Sequence, residues 1–180
     1  MNREEIVLGG FGGQGIILAG YIAGEAASIY DKKNATFTQD YGPEARGGAC
    51  RAQVVISEGE ISYPFVEKPT VLAVMSQEAY TKYSPLLSEG GILIIDDSMV
   101  KVDKKESRKF YSIPATKMAQ ELGRSAVANI VMLGFLTAVT KLISLDAMKK
   151  AVLDSVPKGT EELNMKALTA GYEYGLKQAK

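Results

Sequence analysis

The sequence predicts an α/β fold: a Rossmann-like three-layer sandwich with a mostly parallel sheet and a helical carboxyl-terminal third. Three observations carry this expectation. The opening EEIVLGGFGGQGIILAGYIAG runs from a short apolar strand through a glycine-rich turn into an apolar helix. Further strand and helix units alternate behind it as far as Gly123. From about residue 126 the pattern is mainly helical.

Taken in order, residues 4–9 form a buried strand, an apolar run ending in glycine. Gly15 to Tyr30 carries Ile16, Ile17, Ala19, Tyr21, Ile22, Ala26 and Ile29 at a spacing that suits a helix packed on a sheet. DKKNATFTQD gives a solvated turn and a short strand over 35–39, and YGPEARGGAC is a loop by its glycines and proline. The β-branched RAQVVIS predicts a strand over 51–57, followed by a hairpin through Glu58 and Gly59 with a short strand at 61–63. TVLAVM (70–75) is another buried strand, and Ser76 caps a helix that reaches about residue 84. A strand at 92–96, one in FYSIPA and a helix over TKMAQELG closed by Gly123 follow. Helices at 126–143, 145–155 and 160–176 complete a single domain spanning 1–180. The stretch SAVANIVMLGFLTAVTKLIS has an apolar core too short for a bilayer and is interrupted by Asn129 and Lys141, so it reads as a buried or interface helix.

Composition narrows the chemistry. Hydrophobic residues make up 46% and charged residues 23%, ordinary for a soluble globular protein. Lys plus Arg equals Asp plus Glu at 21 each, so the basic surplus of a nucleic-acid binder is missing. Neutral balance favours association with a partner or a second copy. One cysteine, Cys50, excludes an internal disulfide and a cysteine-ligated cluster built by this chain alone. The absence of histidine removes Ser-His-Asp and Cys-His catalysis and histidine-ligated metals. No secretory signal is read at MNREEIVLGG, and a cytoplasmic location is expected.

Gly10-Phe11-Gly12-Gly13-Gln14-Gly15 matches G-x-G-x-x-G between a strand and a helix. Glycines let amides approach an anion closely, and a helix start adds free N–H groups and a positive dipole end. The alternative reading of the same glycines is a tight turn that packs helix on strand. A dinucleotide site would also need an acid at the end of the second strand, roughly 20 residues on. Asp31 has the spacing but falls in a turn, and Asp40 has the position but comes late.

A second cluster, QDYGPEARGGACR at 39–51, sets turns at Gly42-Pro43 and Gly47-Gly48 around Glu44 and Arg46. An arginine held among glycines can present its fork to a phosphate or carboxylate. As the loop after the second strand it should border the first glycine loop, giving one shared site. Its bland alternative is a surface loop with a Glu44–Arg46 pair. Cys50 reads as a small buried thiol, since no base is available to activate it. Asp96 and Asp97 read as a strand terminus and turn, because neighbours on a strand point to opposite faces. Tyr21, Tyr30, Tyr172 and Tyr174 read as core or interface residues.

At GGFGGQGI (9–16) and YGPEARGGACRAQVVIS (41–57) the chain resembles the gamma subunit of 2-oxoacid:ferredoxin oxidoreductases. NIVMLGFL (129–136) and KGTEELNMKALTAGYE (158–173) resemble the carboxyl half of that family. The wording YGPEARGG is closer to the 2-oxoglutarate type than to the pyruvate type. The resemblance implies oxidative decarboxylation of a 2-oxoacid with coenzyme A and ferredoxin. It implies thiamine diphosphate, magnesium and iron–sulfur clusters on partner subunits, namely thiamine-binding alpha and beta chains and a ferredoxin-like delta chain. This chain then contributes assembly and the coenzyme A step, with no catalytic residue and no metal of its own. Its expected binding residues are Gly10, Gly12, Gly13, Gln14, Gly15, Tyr41, Gly42, Arg46 and Gly47. The isolated chain is expected to be inactive and able to dimerise. The competing readings are a free-standing nicotinamide-dependent dehydrogenase and a nucleotide-binding regulatory module.

Overall fold

The computed structural model describes residues 3–41 and 48–179. Six strands form one mixed sheet: β1 (Glu4–Phe11), β2 (Asn34–Tyr41), β3 (Ala49–Ser57), β4 (Val71–Val74), β5 (Ile92–Asp96) and β6 (Phe110–Ile113). Their spatial order is β2-β3-β1-β4-β5-β6. β1, β4, β5 and β6 run parallel, while β3 runs antiparallel to both β1 and β2. Only β3 therefore opposes the common direction.

Strand alternation sorts the core into two sides. Ile6, Leu8, Ala52, Val54, Ala73 and Ile94 join one cluster, which α1 (Ile16–Glu25), α3 (Ala115–Glu121), α4 (Ala128–Thr140), α5 (Leu145–Ser155) and α6 (Glu161–Gln178) cover. Val7, Leu72, Val74, Leu93 and Ile95 face the other way, where Ala79, Tyr80 and Tyr83 of α2 (Gln77–Tyr83) cover them. The three layers follow, with five helices on one face and one on the other.

Local chemistry explains most boundaries. Ser76 Oγ accepts from the Ala79 amide at 3.2 Å, the cap expected from sequence. Gly123, at φ +97°, ends α3 where only glycine is unstrained. The last turn of the first helix widens into a π-helical segment over Ala26–Tyr30. The apolar run expected as one helix over 126–143 begins as a 3₁₀ turn at Ser125–Val127 and stops at Lys141, which adopts a left-handed φ of 55°.

α4 is buried on all sides because α6 lies directly against it. A Cβ on Gly134 would sit 2.0 Å from the Leu168 carbonyl, and one on Gly171 would sit 1.9 Å from the Val131 carbonyl. The two backbones touch at these glycines, so the apolar surface of α4 meets protein rather than lipid. Among the described residues no helix is long and apolar enough to cross a membrane.

One expected element is absent. Residues 61–63 form no strand. The segment is pinned by side chains instead: Arg3 donates to the carbonyls of Tyr63 and Phe65, and the buried Glu5 carboxylate accepts from the amides of Glu67 and Lys68. Pro64 directly follows the expected strand, and proline cannot donate to a ladder.

Candidate functional site: the glycine loop and its cleft

The glycines of the first loop divide into two kinds. Gly9 and Gly10 are packing positions: a Cβ on Gly9 would meet the Tyr83 ring at 2.9 Å, and one on Gly10 would meet Gln14 Oε1 at 2.5 Å. Gly15 caps α1 in the left-handed region (φ 71°, ψ 24°), and a Cβ there would sit 2.4 Å from Asn129 Nδ2. Gly12 and Gly13 differ. Both are exposed, and a Cβ on either would meet nothing within 4 Å. The loop therefore contains packing glycines, Gly9, Gly10 and Gly15, and two whose backbone stands open, Gly12 and Gly13.

Gln14 shapes the turn. Its Oε1 accepts from the Phe11 amide at 2.9 Å and its Nε2 donates to the Met75 carbonyl at 2.7 Å, tying the loop to the end of β4. Its own amide donates to the Phe11 carbonyl at 3.2 Å. The amides of Gly12, Gly13 and Gly15 have no partner among the described residues. They lie at the start of a helix that has no side-chain cap, the arrangement that favours an anion.

A cleft of about 320 Å³ adjoins the loop, lined by Phe11, Gly13, Gln14, Met99, Thr116 and the Ser125–Ala128 turn that opens α4. It lies at the carboxyl ends of β1, β5 and β6, as the crossover rule for parallel strands requires. Among the described residues no charged side chain lines it. Asp96 is fully buried behind it and is consumed internally: its carboxylate accepts from the Thr116 amide at 2.9 Å, the Thr116 hydroxyl at 2.5 Å and the Ser98 amide at 3.0 Å. Asp97 next to it is exposed, as strand alternation predicts. The cleft thus offers backbone amides and hydroxyls to a ligand that brings its own charge.

The ends of the second glycine cluster come to the same sheet edge. Gly10 pairs with Cys50 and Phe11 with Ala49, while Tyr41 pairs with Cys50 from the other side. Tyr41 is exposed and stands two strands from Gly10, about 10 Å by strand spacing. Gly42, Arg46 and Gly47 lie outside the described residues. Arg51 turns to the α2 face, where it pairs with Asp40 at 3.2 Å and sits over the Tyr83 ring. Cys50 is 4% exposed, and burial pushes its thiol pKa up, opposite to what a nucleophile needs.

The two acids weighed for a ribose are both engaged elsewhere. Asp31 accepts from the Ser144 amide at 2.7 Å and the Ser144 hydroxyl at 2.6 Å, bracing the start of α5. Asp40 is on the outermost strand beside Arg51. The physical reason is topological: β3 is inserted between β1 and β2, so the strand that would carry a ribose acid is not the neighbour of β1. This counts against the dehydrogenase reading.

Sequence reasoning missed Thr116, Ser125 and Met99 at the cleft, because hydroxyls and thioethers carry no spacing signature. Asn129 was legible as a polar break in an apolar run. The structure gives its role: it is 3% exposed and holds the loop from behind.

Fold and site together define a three-layer α/β protein with a cleft beside a glycine loop at the carboxyl edge of its sheet. Residues 5–174 match the pyruvate ferredoxin/flavodoxin oxidoreductase family, and the chain belongs to that family. It is 53% identical over 174 residues to the 2-oxoglutarate synthase subunit KorC of Methanocaldococcus jannaschii, with 95% of this chain and 93% of that protein covered. Against the pyruvate synthase subunit PorC of the same organism, identity falls to 31% at 97% and 98% coverage. The solved gamma subunit of a keto/oxoacid ferredoxin oxidoreductase from Geobacter sulfurreducens superposes with a TM-score of 0.90 at 43% identity, covering 98% of both chains. A 2-oxoglutarate:ferredoxin oxidoreductase from Magnetococcus marinus shares the fold, with a TM-score of 0.86 at 23% identity, over 97% of this chain and 31% of that one.

Proposed function

We propose that this chain is the gamma subunit of a multi-subunit 2-oxoglutarate:ferredoxin oxidoreductase, and that its glycine loop receives a diphosphate of coenzyme A. The observation that carries the ligand reading is the pair Gly12 and Gly13: exposed, with amides that have no partner among the described residues, and with open space where a side chain would stand. The substrate follows the stronger likeness to the 2-oxoglutarate synthase subunit than to the pyruvate synthase subunit. The Magnetococcus enzyme was solved with 2-oxoglutarate, coenzyme A and succinyl-CoA bound. The wider site takes in Gly10, Gln14, Gly15, Tyr41, Gly42, Arg46 and Gly47, with Arg46 supplying the cation that the cleft lacks. The domain spans the whole chain and works in the cytoplasm. Thiamine diphosphate with magnesium belongs to the alpha and beta partners and iron–sulfur clusters to the delta partner; Cys50, alone and buried, cannot ligate a cluster.

The experiment uses the assembled complex carrying Gly12→Val. Gly12 has neither a positive φ nor a neighbour to clash with, so the variant should fold and assemble. A Cβ on the loop should hinder amide–phosphate approach and raise the apparent KM for coenzyme A about tenfold or more. Coenzyme A-independent decarboxylation should survive. Unchanged coenzyme A kinetics would overturn the ligand reading, and failure of the wild-type chain to co-purify with thiamine-binding partners would overturn the subunit reading.

A further inference from the structure

The cleft beside the glycine loop has a neighbour. A second pocket, of about 190 Å³, shares Ala126 with it and lies where three helices begin: it is lined by Leu18 of α1, Asn129 and Ile130 of α4, and Leu163 and Asn164 of α6. None of the three helices has a side-chain cap, and the carboxylates of Glu161 and Glu162 do not line the pocket. Asn129 ties the pocket to the loop, since its side chain lines the one and donates to the Gly15 carbonyl of the other.

Most of the wall is apolar, formed by Leu18, Val127, Ile130, Val156 and Leu163. Two polar groups stay available. Asn164 is 5% exposed. Its Nδ2 is spent on the Thr160 carbonyl at 2.9 Å and the Thr160 hydroxyl at 3.0 Å, while its Oδ1 accepts from nothing among the described residues. A buried acceptor left open is costly, so this one asks for a donor from a ligand. Arg124 lines the pocket from an exposed position, and its guanidinium has no partner among the described residues. A whole small ligand usually fills roughly 300–1,000 Å³, so this pocket suits one limb of a ligand seated in the cleft.

Resting on the coenzyme A reading above, we propose that one coenzyme A molecule spans both cavities. Its diphosphate lies on the Gly12 and Gly13 amides, its adenine enters the second pocket and its ribose 3′-phosphate meets Arg124. The chemistry selects the limb. The pantetheine limb ends in the reacting thiol, which must leave this chain to reach thiamine on a partner. Adenine offers flat faces to the apolar wall and an exocyclic amine that donates to Asn164 Oδ1. The 3′-phosphate beside it gives the Arg124 fork a doubly bonded partner. Arg124 is then a specificity residue for coenzyme A over its dephospho form.

Steady-state kinetics of the assembled complex test this with coenzyme A, dephospho-coenzyme A, pantetheine and an analogue carrying unsubstituted purine. The wild type should show an apparent KM about tenfold lower for coenzyme A than for the dephospho form, as a charge-assisted bond implies. Arg124→Ala should abolish that preference. The purine analogue, which lacks the amine, should raise the wild-type KM about fivefold. Leu18→Trp, at a position 37% exposed, should fill the pocket and reduce the preference for coenzyme A over pantetheine about tenfold. If Gly12→Val acts on coenzyme A while Arg124→Ala and Leu18→Trp leave both preferences as in the wild type, this placement falls and the loop reading stands. A wild type indifferent to the 3′-phosphate and to the amine has the same consequence. Unchanged coenzyme A kinetics in Gly12→Val overturn the loop reading and this placement with it.

Discussion

Asn129 Nδ2, in the first turn of α4, donates to the carbonyl of Gly15, the residue that caps α1, at 3.1 Å. Its Oδ1 accepts from the Ile130 amide at 3.0 Å. One buried amide thereby fixes the starts of two helices and the back of the glycine loop.

Asn129→Ala should cost about 2 kcal/mol, since it leaves the Ile130 amide without its acceptor and removes the tie to the Gly15 carbonyl, which keeps only the Ala19 amide. Gly15→Ala should cost more, because its new Cβ meets Nδ2 and φ is +71°. In the double variant the clash is gone but the backbone strain remains. Denaturant unfolding should therefore show a coupling of about 1 kcal/mol between the two positions. Strict additivity would reject the contact.

Gly134→Ala and Gly171→Ala should each destabilise by about 3 kcal/mol, because the added carbon would lie within 2.0 Å of a carbonyl oxygen on the facing helix. Gly12→Ala should stay within about 0.5 kcal/mol of wild type, since its Cβ meets open space. Thermal melts of the three variants check this ranking. Tolerance at Gly134 and Gly171 would mean that α4 and α6 are not in backbone contact.

Acid should weaken the fold through Glu106. Its carboxylate is held by Arg108 at 2.7 and 2.5 Å, which lowers its pKa from 4.5 to about 2. The group binds its proton more readily when unfolded. Its contribution is therefore complete above the ordinary carboxylate range and fades as pH falls from about 5 towards 2, by an amount on the order of 2 kcal/mol. Glu106→Gln should flatten that part of the stability–pH curve. A curve of unchanged slope would remove Glu106 as the cause.

Cys50 should resist thiol reagents in the folded chain and react readily once unfolded, because it is 4% exposed and its pKa is raised by burial. Rapid modification of the native protein near neutral pH would contradict this placement.

The elements legible in the sequence were those written in short-range chemistry. The strand–glycine–helix opening, the Ser76 cap, the Gly123 stop and the short apolar runs of β4 and β5 each depend on neighbours within a few residues. The strand expected at 61–63 failed because Arg3 and Glu5, some sixty residues away, hold that segment in another form. The site was half legible for the same reason. The loop could be read from its glycines, whereas Thr116 and Ser125 reach the cleft only through the crossover of β6 and the packing of α4.

By itself the sequence determined the fold class, excluded histidine and cysteine-cluster chemistry, and marked both glycine clusters, since backbone freedom and side-chain inventory are properties of the residues themselves. Only the tertiary structure decided which glycines pack and which stand open, for that depends on what lies opposite each missing Cβ. It also decided that Asp31 and Asp40 are consumed by Ser144 and Arg51, through the insertion of β3 between β1 and β2. Strand order is a choice among long-range pairings of similar local merit. It is settled by how the whole apolar surface can be buried at once, and no stretch of the chain carries that information alone.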